Sequence, residues 1–151
     1  MEDKTPLPSF SGRVLAVDYG DVRTGLAISD ESLFLASGIG TIEATGDRAL
    51  ARKINEVAKS RGVGLIIVGD PINMNGTRGP RSEKARAFAE KLRAETGLPV
   101  VLEDERCTTL SAQVFLNETE TRKKKRKAII DALSAEIMLQ NFLDRIRNLK
   151  K

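Results

Sequence analysis

Three acidic positions lie where a carboxylate is unfavourable for stability. Asp18 follows an apolar run, the acidic stretch 103–105 follows another, and Asp131 opens a predicted helix over residues 128–148, on the same face as Ala135. Burying an unpaired carboxylate costs several kcal/mol, which a bound divalent cation offsets. Because the three positions end or begin separate buried elements, they predict a metal site built from carboxylates.

The absence of histidine narrows the chemistry further. The chain has no histidine and one cysteine, Cys107, which excludes a Ser-His-Asp triad and a His-ligated zinc. Carboxylates holding Mg²⁺ or Mn²⁺ remain, and two such ions roughly 3.5–4 Å apart hydrolyse a phosphodiester without histidine. The structural alternatives are an Asx turn at Asp18, a helix N-terminal charge at Asp131 and a surface pair between Glu105 and Arg106.

The segment after Asp18 contains residues that suit a phosphate. Gly20 and Gly25 permit a tight turn and allow a phosphate to approach backbone N–H groups, and Arg23 could bind it with two hydrogen bonds. The phosphate-loop pattern of nucleoside triphosphatases is absent from the sequence, so that class is disfavoured.

A run of six cations, residues 122–127, carries much of the net charge of +4. Lys124, Lys125 and Arg126 are therefore candidate contacts to a nucleic-acid backbone. The alternative is a solvated loop or helix face. Aromatic residues make up only 4% of the chain, which favours recognition through backbone charge and shape over base stacking.

Hydrophobic periodicity and turn residues predict the elements that position these groups. They are strands over 13–18 and 24–29 forming a hairpin, a strand with bends over 34–43, a helix capped by Asp47 and ending near 61–62, a strand over 64–69, a long loop over 70–80, a helix over 81–96, a strand over 98–102, a helix capped by Thr108 or Thr109, and the helix over 128–148. This order predicts an α/β fold with a mixed sheet and helices on both faces.

Length and composition predict one domain. We expect a flexible N-terminal tail over residues 1–12 and a single domain over 13–148 in the 151-residue chain. No apolar run approaches the ~18 residues of a membrane span, and the N-terminus lacks a signal-peptide core. A cytoplasmic protein without membrane contact is the expectation.

Four ordered segments resemble the YqgF-type family, which comprises pre-16S ribosomal RNA nucleases and Holliday junction resolvase-like proteins within the ribonuclease H-like superfamily. The segments are Asp18-Tyr19-Gly20 with Arg23 and Gly25; Ile67-Val68-Gly69 followed by Pro71, Asn73-Met74 and Gly76-Thr77; Asp104-Glu105-Arg106 with Thr108-Thr109; and Asp131 to Ala135 with Leu139-Gln140. The resemblance spans residues 13 to about 143 and implies a ribonuclease H-like fold, a five-stranded mixed sheet whose first three strands are antiparallel.

The resemblance also implies the roles of the acids. Asp18 would be the principal metal ligand, an acid of the Asp104-Glu105 pair the second and Asp131 the third. Glu105 is preferred, and Asp104 stays open because neighbours on a strand point to opposite faces and the register is not set by the sequence.

Arg23 and Arg106 would be phosphate or active-site neighbours, and Asn73 belongs to the second segment, which the resemblance implies is a substrate loop. Two residues depart from the family pattern. Asp70 occupies a position that is usually apolar, and Asn75 stands where the family often has Asp. The first adds a negative charge beside the substrate loop.

The implied function is a phosphodiester hydrolase that trims the 5′ end of the small-subunit ribosomal RNA precursor, as a monomer or weak homodimer. Three alternatives remain. The same chemistry on branched DNA would make a Holliday junction resolvase, which needs a dimer for two symmetric cuts. An RNA-binding or transcription-associated factor would have weak or lost catalysis. An actin-like kinase relative is disfavoured, because such enzymes close a cleft between two domains of this kind.

Overall fold

The computed structural model describes residues 7–73, 75–104 and 123–149, and side chains within 7–73, 75–104 and 133–148. The elements are β1 (Arg13–Asp18), β2 (Thr24–Ser29), β3 (Ala36–Ile42), α1 (Asp47–Ser60), β4 (Val63–Asp70), α2 (Pro80–Thr96), β5 (Val100–Asp104) and α3 (Lys123–Leu149). The helix predicted after Thr108 or Thr109 lies outside the described residues. No helix in the described part of the chain is long and apolar enough to cross a membrane.

The strands form one five-stranded sheet in the order β3-β2-β1-β4-β5. β1 pairs with β2 and β2 with β3 in antiparallel fashion, whereas β1 and β5 run parallel to β4. All residues of β4 are buried, as expected of a central strand covered on both faces. The predicted hairpin, the mixed sheet and the three antiparallel first strands are confirmed.

Alternation along β1 divides its side chains between two cores. Leu15 and Val17 pack in the core beneath α1 and α2, whereas Val14 and Ala16 pack in the core beneath α3. Because side chains of a strand alternate, Asp18 lies on the α3 face of the sheet and Tyr19 on the α1/α2 face. At the start of the hairpin turn, the Asp18 carboxylate and the Tyr19 ring therefore point to opposite faces of the sheet.

The predicted start of α1 is wrong in detail. Asp47 is the first helical residue and not its cap; Gly46 is the N-cap, with φ 96°, and makes no side-chain capping bond. The Asp47 carboxylate instead accepts a hydrogen bond from the Tyr19 hydroxyl. The Asp47 carboxylate, which the sequence predicted as a helix cap, is therefore bound by a residue distant along the chain.

The last helix begins earlier than predicted. α3 starts at Lys123, so Asp131 lies in its third turn and does not open it. Lys and Arg are good helix formers, and they extend the helix through the basic run. On the predicted apolar face, Ala135, Met138 and Phe142 are buried, which confirms the stripe that packs on the sheet.

Polar side chains of α3 also cover the exposed edge of the sheet. The N–H of Ala36 in the edge strand β3 donates to Gln140 Oε1 at 2.9 Å, and that of Gly38 to Glu136 Oε1 at 2.9 Å. Gln140 Nε2 donates to the Phe34 carbonyl at 3.0 Å. Because these bonds satisfy backbone groups that would otherwise recruit another strand, α3 protects β3 from edge-to-edge pairing.

Candidate active site

The three parallel strands bring three aspartates to one edge of the sheet. β1, β4 and β5 end at Asp18, Asp70 and Asp104. Val17 pairs with Val68, and Asp70 pairs with Asp104, so the three ends lie side by side. The carboxyl edge of a parallel sheet is the usual place for a binding site. We call it the carboxyl edge below.

The aspartates at the carboxyl edge do not share a face. Asp18 lies two residues after Ala16, on the α3 face. Asp104 lies two residues after Leu102, which packs on the α1/α2 core, and Asp70 is its register partner. Because paired residues of parallel strands point the same way, Asp70 and Asp104 both point away from the α3 face. Of the acids predicted as metal ligands whose side chains are described, Asp18 alone lies on the α3 face.

Glu103 does lie on the α3 face, and it is already paired. It is 9% exposed, and Arg145 of α3 places one terminal nitrogen 2.7 Å from both carboxylate oxygens. Burial raises the pKa of Glu103, while the guanidinium of Arg145 opposes that rise. Sequence reasoning included Glu103 only in the acidic stretch 103–105 and gave it no ligand role of its own, and this ion pair shows that it binds α3.

The turn after Asp18 is shaped by close backbone approach. A Cβ atom on Gly20 would lie 2.2 Å from the carbonyl oxygen of Arg23, so only glycine fits there. Thr24, which is buried, accepts the Gly20 N–H through Oγ1 at 3.5 Å. Gly25 is buried and pairs with Asp18 across the hairpin. Arg23 lies half-buried at the end of this turn.

Tyr19 anchors the same turn to the helices on the other face. Its ring stacks on Phe88 with centroids 4.6 Å apart, and its hydroxyl donates to Asp47 Oδ1 at 2.5 Å. Lys91 Nζ lies 3.2 Å from Asp47 Oδ2. Burial, followed by the Asp47 hydrogen bond and charge, raises the pKa of Tyr19 to about 12. Sequence reasoning missed this role, although the sole tyrosine of the chain directly follows Asp18.

The loop after β4 is organised by its own polar side chains. Asn73 N–H donates to the Thr77 carbonyl at 2.9 Å and Asn73 Nδ2 to Thr77 Oγ1 at 3.0 Å. Thr77 N–H and Oγ1 both bond to Asn75 Oδ1, at 3.1 and 2.7 Å. The loop rises from the carboxyl edge, and Asn73, predicted as a substrate contact, is exposed on it.

The remaining predicted site residues are only partly described. Glu105 and Arg106 lie outside the described residues. Asp131, Lys124, Lys125 and Arg126 belong to the helical backbone of α3, and their side chains lie outside the description. Within the described part of the chain, no group of three acidic or cysteine side chains is placed to hold a metal ion.

The sequence matches known proteins along most of its length. A model of the family described as "RuvX: Holliday junction resolvase" matches residues 12–145. A relative from Caldanaerobacter subterraneus subsp. tengcongensis is 46% identical over 137 residues, covering 90% of this chain and 99% of that protein. One from Thermoanaerobacter pseudethanolicus is 41% identical over 137 residues, with the same two coverages of 90% and 99%. Both carry the name "Putative pre-16S rRNA nuclease".

Solved structures show the same fold at low sequence identity. RuvC of T. thermophilus in complex with a Holliday junction substrate superposes with a TM-score of 0.54 at 14% identity, covering 89% of this chain and 96% of that one. The fowlpox virus Holliday junction resolvase gives 0.53 at 12% identity, with coverages of 89% and 99%. The ribonuclease H-like fold implied by the sequence is thereby confirmed, and the chain belongs to the RuvX family.

Proposed function

We propose that the protein is a divalent-metal-dependent nuclease that processes the 5′ end of pre-16S ribosomal RNA in the cytoplasm. The observation that carries the proposal is the position of Asp18, at the carboxyl edge and on the α3 face of a ribonuclease H-like sheet. Relatives 41–46% identical to this chain bear the corresponding nuclease name.

The proposed metal ligands are Asp18, Glu105 and Asp131. Asp104 points to the α1/α2 face with Asp70, whereas Asp18 lies on the α3 face. This difference argues against Asp104 as the partner of Asp18, and we therefore propose Glu105, the other acid of the pair. The burial of Ala135 and Met138 supports Asp131, which shares their helical face.

The residue chemistry suits Mg²⁺ or Mn²⁺. Both are hard cations that prefer carboxylate and water oxygens, and Asp18 is half-buried at an edge that solvent reaches. Bound to these carboxylates, such an ion would supply activation of the attacking water and charge stabilisation of the leaving oxygen. Glu103 is unsuited to join the set, because Arg145 already binds both of its oxygens.

Cationic and polar residues of the chain would bind the substrate. We assign phosphate contacts to Arg23, to Arg106 and to the run of six cations, which contains Lys124, Lys125 and Arg126. Asn73 and the backbone at Gly20 and Gly25 would be polar contacts. The tight turn at Gly20 and the stacked Tyr19 hold the backbone beside Asp18 in one conformation. Such rigid support keeps a catalytic carboxylate in position at little cost during the reaction.

A second candidate is a Holliday junction resolvase acting on branched DNA. The description of the matching family model favours it, as does the likeness to the fold of RuvC. The chemistry would be identical and the substrate different. Two symmetric cuts require a dimer, whereas the nuclease proposed above can act as a monomer or weak homodimer.

The test compares a labelled pre-16S RNA 5′ end with a labelled four-way DNA junction, each with Mg²⁺ or Mn²⁺. Asp18→Asn should abolish cleavage while leaving the circular dichroism spectrum unchanged. Glu95→Gln is the matched control, because Glu95 is exposed near the far end of α2. RNA cleavage lost only in Asp18→Asn supports the proposal, and junction cleavage alone supports the resolvase. If the wild type and both variants bind nucleic acid without cleaving it, the protein is a nucleic-acid-binding factor, and the nuclease and resolvase proposals are both refuted.

A further inference from the structure

A buried carboxylate at the carboxyl edge is left unused by the function proposed above, on which this inference rests. Asp70 is 2% exposed at the end of β4. It points away from the α3 face and is therefore not among the proposed metal ligands. Because a buried charge must be paired to be tolerated, its partners indicate what it does.

The partners of Asp70 come from both ends of the loop 71–79 and from α2. The fully buried Ser82 of α2 donates its hydroxyl to Asp70 Oδ1. Arg78 Nε lies 3.5 Å from Asp70 Oδ2, and the Ile72 N–H donates to the Asp70 carbonyl at 2.8 Å. One residue thus joins the beginning of the loop to its end and to the first turn of α2.

Arg78 is held on one side and open on the other. Its side chain is 51% exposed, whereas that of Asp70 is 3% exposed. A guanidinium presents five N–H donors in a rigid plane. Since the contact with Asp70 uses Nε, the terminal nitrogens can bind a second anion in two-pronged fashion.

Hydrogen bonds among the polar residues of the loop support the backbone that leads to Arg78. The bonds among Asn73, Asn75 and Thr77 described above close the loop on itself. A Cβ atom on Gly79 would lie 3.5 Å from Asn73 Nδ2, so this polar cluster packs directly against the residue that follows Arg78. A cation presented by a preorganised loop loses less conformational entropy on binding than a mobile surface lysine.

We infer that Arg78 binds a backbone phosphate of the nucleic-acid substrate and that Asp70 is the positioning residue that aims its guanidinium. The negative charge that Asp70 adds beside the substrate loop therefore serves binding, because it is buried behind Arg78 and neutralised by it. Phosphate contacts of this kind fix the register of a nucleic acid without reading its sequence.

The inference is tested by binding in the cleavage-deficient Asp18→Asn background, with labelled precursor RNA and the four-way junction over a series of KCl concentrations. Arg78→Ala should weaken binding about tenfold, the loss expected for one charge-assisted contact. It should also lower the slope of log affinity against log salt by roughly 0.7–0.9. Arg78→Lys should keep the salt-dependence slope, because the charge is retained. It should bind more weakly than wild type, because lysine lacks the planar guanidinium that makes two parallel hydrogen bonds to one phosphate.

The matched control is Arg61→Ala, an exposed arginine after the end of α1, on the opposite edge of the sheet. The positioning role is tested by a double-mutant cycle. Arg78→Ala should cost clearly less affinity in a background that also carries Asp70→Asn, a near-isosteric change that keeps an acceptor for Ser82. Equal costs in both backgrounds would overturn the role of Asp70.

Two results would overturn the phosphate contact at Arg78, and they differ in their meaning for the proposed function. If Arg78→Ala behaves like Arg61→Ala in affinity and salt slope, Arg78 makes no phosphate contact, while the nuclease function stands. If the Asp18→Asn protein binds neither RNA nor the junction, the proposed function fails together with the inference.

Discussion

The hydrogen bond between Tyr19 and Asp47 gives a titration that can be followed in isolation, because the chain has one tyrosine and no tryptophan. The pKa of Tyr19 is raised from 10.0 to about 12 by burial first, and then by the bond to Asp47 and its charge. Asp47→Asn removes the charge and retains burial. The midpoint of tyrosinate formation should therefore fall, but remain above that of the unfolded chain.

The sign of the stability effect follows from the same shift. The pKa of Tyr19 is higher in the folded protein than in the unfolded chain. Its contribution to the free energy of unfolding is therefore complete below pH 10 and is lost as the pH rises through 12. A difference of about two pH units corresponds to at most ~2.7 kcal/mol. Solvent screening at this half-buried side chain lowers the expected loss to about 1 kcal/mol.

The assay is the ultraviolet absorbance of tyrosinate against pH, for wild type, Asp47→Asn and wild type in urea. Circular dichroism at each pH establishes that the fold persists. Urea unfolding at pH 8 and pH 11 measures the stability difference, which should be smaller in Asp47→Asn. A folded wild-type protein that titrates with the midpoint of the urea-unfolded chain would refute the reasoning, and Tyr19 would then anchor the turn by stacking alone.

Two further predictions concern the turn and the sheet edge. Gly20→Ala forces a Cβ against the Arg23 carbonyl; urea unfolding should show a loss of about 1–3 kcal/mol, and wild-type stability would contradict the close approach. Glu136→Ala with Gln140→Ala exposes N–H groups of β3; sedimentation should show concentration-dependent association, with Asn141→Ala, an exposed α3 residue, as control. A double variant that sediments like the wild type at every concentration would show that α3 does not protect this edge.

Sequence alone determined the strands and the general position of Asp18. Short apolar runs bounded by glycine and aspartate are local signals, and β1, β2 and the hairpin between them match their predicted bounds. The four motifs identified the family and its fold, since their order along the chain is a property of sequence. The length of α3 was misjudged because a run of like charges resembles a solvated loop, while its residues favour a helix.

The tertiary structure decided which acids share a surface and what each one binds. Asp104 and Glu103 are neighbours in sequence, yet the pairing of β5 with β4 sends one towards Asp70 and the other to Arg145. From the sequence, Asp70 only adds a negative charge beside the substrate loop, whereas the fold places Arg78 and Ser82 against its carboxylate. Partners so distant along the chain meet only when the sheet register and helix packing are set, because local sequence constrains a residue's own backbone and not its neighbours in space.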